Sequence, residues 1–181
     1  ELDHLVHWAK QILPTISEEL EVNIDSVGEP TAYPHLVELI KQLKKIKQVH
    51  KISLQTNGTF LTKQLIDDLA HAGLHRINLS LHSLNTTQAK ELFDKTSYNL
   101  TTVVEMIQYI TQNTSIELLL APVYLPGVND EEIEKIISFA IQNNCLIGIQ
   151  KYEVYRYSRK HKKAKLINWF KFNKQLKLWE K

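Results

Sequence analysis

The 181-residue sequence predicts an α/β fold built on a parallel sheet, and three observations carry that prediction. Short strand-like runs at 21–25, 50–55, 76–82, 115–123 and 146–150 alternate with amphipathic helical patterns, as βαβ units require. The segments joining the runs are long enough for helical crossovers, which parallel strands need and hairpins do not. Within the runs, apolar and polar residues alternate: Ile77, Leu79 and Leu81 against Asn78, Ser80 and His82, Val22 and Ile24 against Asn23 and Asp25, and Ile52 and Leu54 against Ser53 and Gln55. Covering helices take the apolar face of such a sheet, so the polar face is expected to line a cavity.

The helices follow from apolar spacing and end chemistry. Leu2, Leu5, Val6, Ala9 and Ile12 recur at helical period, as do Leu36, Leu39, Ile40, Leu43 and Ile46. Thr62 is placed to cap a helix carrying Leu65, Ile66 and Leu69, with Gly73 suited to the left-handed stop. Val103, Ile107 and Ile110 mark the next helix. Asn129 has the position of an N-cap and Glu132 that of its capping-box partner, ahead of Ile133, Ile136, Ile137, Ala140 and Ile141. A last helix carries Trp169, Phe172, Leu176 and Trp179 on one face.

Composition narrows the class. With 43% hydrophobic and 23% charged residues the chain can bury a core, and no apolar run approaches the roughly 20 residues that cross a bilayer, so a cytoplasmic protein with no membrane partner is expected. Cys145 is the single cysteine and by itself makes neither a disulfide nor a zinc or cluster site. The chain opens on Glu1 inside an amphipathic pattern and reads as part of a longer protein. Its net charge of +2 hides an asymmetry, because residues 151–181 carry eleven Lys or Arg against Glu153 and Glu180, leaving residues 1–150 acidic. Two regions are expected, a core over 1–150 and a basic, aromatic-rich extension with a final helix over 151–181.

Gly28, Gly58 and Gly127 fall at or just past strand C-termini, the rim where parallel barrels hold ligands. The first stands in Val27-Gly28-Glu29-Pro30, followed by Thr31-Ala32-Tyr33-Pro34-His35-Leu36. Thr56-Asn57-Gly58-Thr59, Ser80-Leu81-His82-Ser83 and Pro126-Gly127-Val128-Asn129-Asp130 follow at intervals of about one strand–helix unit. In this order the four segments resemble the Gly-Gly-Glu-Pro, Thr-Asn-Gly, Ser-Leu-Asp-Ser and Gly-x-Asn-Asp segments of the radical S-adenosylmethionine (SAM) superfamily. The likeness is to the branches that hold the molybdenum-cofactor GTP cyclase and the wyosine-base tRNA enzyme.

That resemblance implies a partial (βα)6 parallel barrel whose first strand and Cys-x-x-x-Cys-x-x-Cys loop, the ligands of a 4Fe–4S cluster, are expected before Glu1. It implies SAM as cofactor, with Gly28, Glu29 and Pro30 cradling the methionyl amine through backbone oxygens, and Thr56, Asn57 and Ser80 contacting the methionine or ribose portion. His82 stands on the same rim. The activity implied is formation of a 5′-deoxyadenosyl radical for hydrogen abstraction, of oxidoreductase or transferase type, fed by an electron donor such as flavodoxin or ferredoxin.

Two other readings stand beside it. Eight histidines suggest a divalent-metal-dependent barrel hydrolase or isomerase, although only His82 takes an inward rim position and no carboxylate accompanies it at ligand spacing beyond Asp25. Interleaved aromatic and basic residues in the extension suggest a nucleic-acid-binding module, with Arg156, Arg159, Lys160, Lys162 and Lys163 as phosphate contacts and RNA as substrate or partner.

Overall fold

The computed structural model describes residues 1–93, 96–154 and 161–180, which fold as two compact units. Residues 1–79 and 101–119 make up the first; residues 80–100 and 120 onward make up the second.

In the first unit, α1 (Leu2–Ile16) leads to β1 (Leu20–Ile24), a 3-10 turn (Pro30–Ala32), α2 (Leu36–Lys44), β2 (Val49–Thr56), α3 (Lys63–Ala72) and β3 (Arg76–Leu79). The strands lie in chain order, with β1 pairing parallel to β2 and β2 parallel to β3. The register sets Val22 beside Ile52, Ile24 beside Leu54 and Leu54 beside Ile77, so the apolar residues form rows across one face. Ile52, Leu54, Ile66, Leu69, Ile77 and Leu79 are fully buried there, each contributing about 1.5–3 kcal/mol of burial free energy. On the other face Ser53 Oγ donates to Asn23 Oδ1 at 3.0 Å and Asn78 Nδ2 to the same oxygen at 3.3 Å, a polar row across three strands. The alternation of period two therefore has the two faces that it predicts. This sheet begins at the edge strand β1 and is open; no closed barrel is formed by the described residues.

The local signals at α3 hold. Thr62 Oγ1 accepts from Leu65 N at 3.1 Å, and Gly73 stops the helix at φ +95°. Gly58, after β2, is under a tighter demand: its φ is +79°, and a Cβ there would lie 3.0 Å from Leu79 and 3.2 Å from Val103. The later segment adds most of α5 (Leu100–Asn113) and β4 (Glu117–Leu120), whose Glu117 N donates to His75 O at 2.9 Å.

The second unit holds α4 (Thr86–Leu92), β5 (Val123–Tyr124), α6 (Asp130–Gln142), β6 (Leu146–Ile147), β7 (Gln150–Lys151) and α7 (Trp169–Trp179). β5 and β7 pair in parallel, and the predicted runs 115–123 and 146–150 are thus each broken into two short strands. Helix α4 had no periodic signal at seven residues; it starts because Asn85 Oδ1 caps Gln88 N at 3.0 Å. The core gathers Tyr124, Ile133 and Phe172, with Leu176 and Trp179 packed against them, so one face of α7 is apolar as expected. Trp169 is the exception: it stays 59% exposed beside Lys151 Nζ, 5.1 Å from the ring centroid.

Replacing Gly58 by alanine forces both the left-handed backbone and the Cβ contact, and is expected to lower the unfolding free energy by about 1–3 kcal/mol in urea titrations. Gly28, whose nearest atom to an added Cβ is 4.0 Å away, serves as the comparison and should change stability by less than about 0.5 kcal/mol as alanine.

Candidate functional site

At the C-terminal ends of β1 and β2 the chain is organised by one carboxylate. Glu29 Oε1 accepts from Thr31 N at 3.1 Å, Thr31 Oγ1 at 2.6 Å and Thr56 Oγ1 at 2.5 Å, while Oε2 accepts from Asn57 N at 2.8 Å. Two of these donors are local and make the 3-10 turn; the other two belong to the end of β2, 27 and 28 residues away. The Glu29 side chain is thereby spent on the protein, which leaves ligand contacts to the main chain. Glu29 O and Pro30 O already accept from Ala32 N and Tyr33 N, both at 3.0 Å, so of the expected carbonyl cradle only Gly28 O takes no described donor.

A cavity of about 600 Å³ opens beside Asp25, Ser26, Gly28, Glu29 and Pro30. Gly28 N donates to Ser26 Oγ at 3.2 Å, and the absent Cβ leaves its carbonyl approachable. Thr56 is buried, and its hydroxyl donates to Glu29 and accepts from Gly58 N at 3.0 Å, so it acts on the rim by holding it. Asn57 Oδ1 accepts from Thr59 N at 2.8 Å, with its Nδ2 donors taking no described partner.

In the second unit Ser80 and His82 are half-buried on either side of the fully buried Leu81, in irregular chain, because the strand expected over 76–82 stops at Leu79. Val123 N donates to His82 Nδ1 at 3.2 Å, and burial pushes the imidazole down to about 4, so the ring is neutral at pH 7. Its plane stacks on Phe93 at 4.8 Å, and Phe93 on Tyr98 at 4.4 Å.

The residues after β5 depart from the local expectation. Asn129 does not cap α6 with its side chain: Nδ2 donates to His82 O at 3.0 Å and to Val123 O at 2.9 Å, and Oδ1 accepts from Leu125 N at 2.8 Å. Glu132 makes no capping box. Only 6% exposed, it accepts from Ser83 Oγ at 2.8 Å, Leu84 N at 2.7 Å, Asn85 N at 3.0 Å and Lys135 Nζ at 2.6 Å. A buried loop with donors to satisfy outcompetes the helix end for both side chains. Their functional weight was invisible to periodicity, because the partners at 82–85 lie 47 to 49 residues away.

Of the residues expected to meet nucleic acid, Lys162 and Lys163 are exposed, and Arg156, Arg159 and Lys160 lie outside the described residues. The histidines do not converge: no group of three or more His, Cys, Asp or Glu that could hold a metal ion is found among the described residues.

Residues 2–140 match the radical SAM superfamily model. The chain belongs to the radical SAM superfamily. Its curated relatives include an uncharacterised protein of Methanocaldococcus jannaschii, 35% identical over 95% of this chain and 44% of the relative. A GTP 3′,8-cyclase of Rippkaea orientalis is 36% identical over 65% of this chain and 36% of the cyclase. The chain thus spans less than half the length of these relatives. Among solved structures, Streptococcus suis SuiB superposes with a TM-score of 0.77 at 17% identity, over 98% of this chain and 39% of SuiB. TYW1 with a lysine-pyruvate adduct superposes at 0.67 and 18% identity, over 98% of this chain and 58% of TYW1. At these identities the likeness is one of fold, an α/β architecture with a mostly parallel sheet.

Radical SAM enzymes use SAM and a 4Fe–4S cluster. At the rim of the first unit the cavity is bordered by Gly28, whose carbonyl takes no described donor, which gives an acceptor and room for a ligand carrying an ammonium, as SAM does. The cluster finds no ligand set among the described residues, since Cys145 stands alone and burial pushes its thiol up to about 11. No helix of the described residues is long and apolar enough to cross a membrane.

Burial drives the Glu132 carboxyl upward, but hydrogen bonds from Lys135, Ser83 and Leu84 N outweigh it and leave the group below its ordinary value. A depressed carboxylate stabilises the fold above its unfolded pKa and loses that contribution as pH falls through the folded value. Unfolding free energy should therefore decline on acidification below the usual carboxylate range, and the Glu132→Gln protein, weaker by about 1–3 kcal/mol at pH 7, should decline less steeply.

Proposed function

We propose that this chain is the SAM-binding portion of a radical SAM enzyme, with residues 1–150 forming part of a partial (βα)6 parallel barrel and residues 151–181 a basic extension. The observation that carries the reading is the Glu29 bridge, which holds the ends of β1 and β2 together at the rim where Gly28 O and Asn57 Nδ2 are available. On this reading Gly28, Glu29 and Pro30 form the main-chain cradle for the methionyl amine, with Gly28 O as its acceptor. Asn57 contacts the methionine or ribose portion, and Thr56 positions the rim through Glu29. When bound, SAM and its cluster supply a 5′-deoxyadenosyl radical that abstracts hydrogen from substrate. The protein binds, orients and excludes water. Cluster ligands come from the parent protein outside this chain, and the electron donor is a flavodoxin or ferredoxin.

The reaction is of oxidoreductase or transferase type with RNA as substrate, and the basic extension supports that choice because Lys162 and Lys163 are exposed next to an aromatic helix. A second reading, favoured by the cyclase among the relatives, gives the parent protein a purine nucleotide as substrate.

The parent protein with its cluster reconstituted anaerobically should release 5′-deoxyadenosine from SAM on reduction, and Glu29→Gln should lower that release by at least about tenfold, because an amide placed among four donors cannot accept from all of them. No deoxyadenosine from reduced wild-type protein would overturn the assignment. For RNA, the affinity should fall with salt at a log–log slope of magnitude about 0.7 per contacted phosphate, and replacing Arg156, Arg159, Lys160, Lys162 and Lys163 together by alanine should flatten it. An unchanged slope rejects the RNA surface.

A further inference from the structure

At the base of the first unit's sheet, away from the rim, a side chain completes the ladder where the backbone stops doing so. Ser53 pairs with Arg76, and one residue earlier Ile52 O still accepts from His75 N at 2.9 Å. The Ile52 amide has no such partner. A parallel strand would offer it a carbonyl two residues before His75, but there the chain is leaving α3 through Gly73 at φ +95°. His75 supplies the acceptor itself, because Ile52 N donates to its Nδ1 at 3.0 Å. Ile52 is fully buried, so water cannot take that place.

The direction of this bond fixes the ring. A backbone N–H only donates, so Nδ1 presents its lone pair and the proton of the neutral imidazole resides on Nε2. Charged groups from four elements surround it. Lys44, the last residue of α2, runs its stem over Gly73, 3.4 Å from where a Cβ would stand, and brings Nζ to 3.0 Å from Nε2. Glu117 of β4 gives its amide to His75 O at 2.9 Å, but its carboxylate goes to Lys51 of β2 at 3.2 Å and Arg76 of β3 at 3.6 Å. Glu21 of β1 is paired with Arg76 as well. Both carboxylates are thus committed to other cations, while the Lys44 ammonium faces the ring directly. Burial, then Lys44 and Lys51, hold the imidazole below its ordinary value against the opposing pull of Glu21.

We propose that His75 is a proton-sensitive clasp of this sheet: neutral, it closes the base of the β2–β3 pair by accepting the Ile52 amide, and protonated, it presents a second donor to that amide, is repelled by Lys44 and lets the strand starts part. A cationic ring sets two N–H groups against each other inside a buried ladder, where an unmet donor is costly. Because the folded value lies below the unfolded one, about 6.5, the fold favours the deprotonated ring. The stabilisation is therefore complete above that pH and is lost as pH falls through the folded value.

The test follows one ring and one amide in the full chain. With 15N-histidine labelling, long-range proton–nitrogen spectra at neutral pH should show His75 protonated at Nε2 and bare at Nδ1, with a titration midpoint below 6.5. Hydrogen exchange of the Ile52 amide, corrected for its intrinsic pH dependence, should lose about tenfold in protection as the ring titrates. In His75→Asn, whose side-chain oxygen can accept from Ile52 without titrating, that protection should not change over the same range, and Lys44→Met should move the His75 midpoint upward. A proton on Nδ1 at neutral pH, or Ile52 protection that stays constant in the wild type through the His75 titration, overturns the clasp whether or not either variant folds.

Discussion

The carboxylate of Glu29 is the constraint on which the first unit's rim depends. A parallel strand pair ends with carbonyls and amides that the ladder no longer satisfies, and the loops leaving β1 and β2 carry several. Glu29 takes four donors at once, two from the turn that follows β1 and two from the end of β2. Because Thr56 Oγ1 in turn accepts from Gly58 N, the Gly58 backbone is held at its left-handed φ, and the tight approach of Leu79 and Val103 to Gly58 Cα becomes tolerable only for glycine. Removing the acceptor would leave buried donors without partners, which costs more than the net worth of any one bond.

Within the second unit the same economy is achieved by two residues. Asn129 uses all of its amide to join the chain around His82, Val123 and Leu125, and Glu132 gathers the amides of Leu84 and Asn85 together with the Ser83 hydroxyl. Asn129 is the N-cap position of α6 and Glu132 lies in its first turn, where a carboxylate also gains from the helix dipole. A helix start has become a staple for a loop that precedes it by more than forty residues.

The basic extension shows how composition and packing divide one segment. Phe172 enters the core with Tyr124 and Ile133, and Trp179 packs edge-on against Tyr124 at 4.8 Å, so these aromatics stabilise the fold. Phe170, 77% exposed, and the lysines at 171, 174 and 177 lie outside that core. A helix can satisfy both demands because its period separates the two sets onto different faces.

Much of the fold was legible in the sequence because the signals are local. Alternation at Ile77-Asn78-Leu79, the spacing of Leu36, Leu39, Ile40 and Leu43, the Thr62 cap and the Gly73 stop depend on backbone geometry within a few residues, and each is realised. The motif residues Gly28, Glu29, Thr56 and Asn57 were also legible, but not what each would do. That Glu29 spends its side chain on Thr56 and Asn57, that Asn129 and Glu132 abandon the cap of α6, and that His82 meets Val123 N with the lone pair of Nδ1 were decided by tertiary structure alone. The reason is physical: a polar side chain goes to the partner that burial leaves most in need, and that partner is chosen by strand register and loop packing tens of residues away.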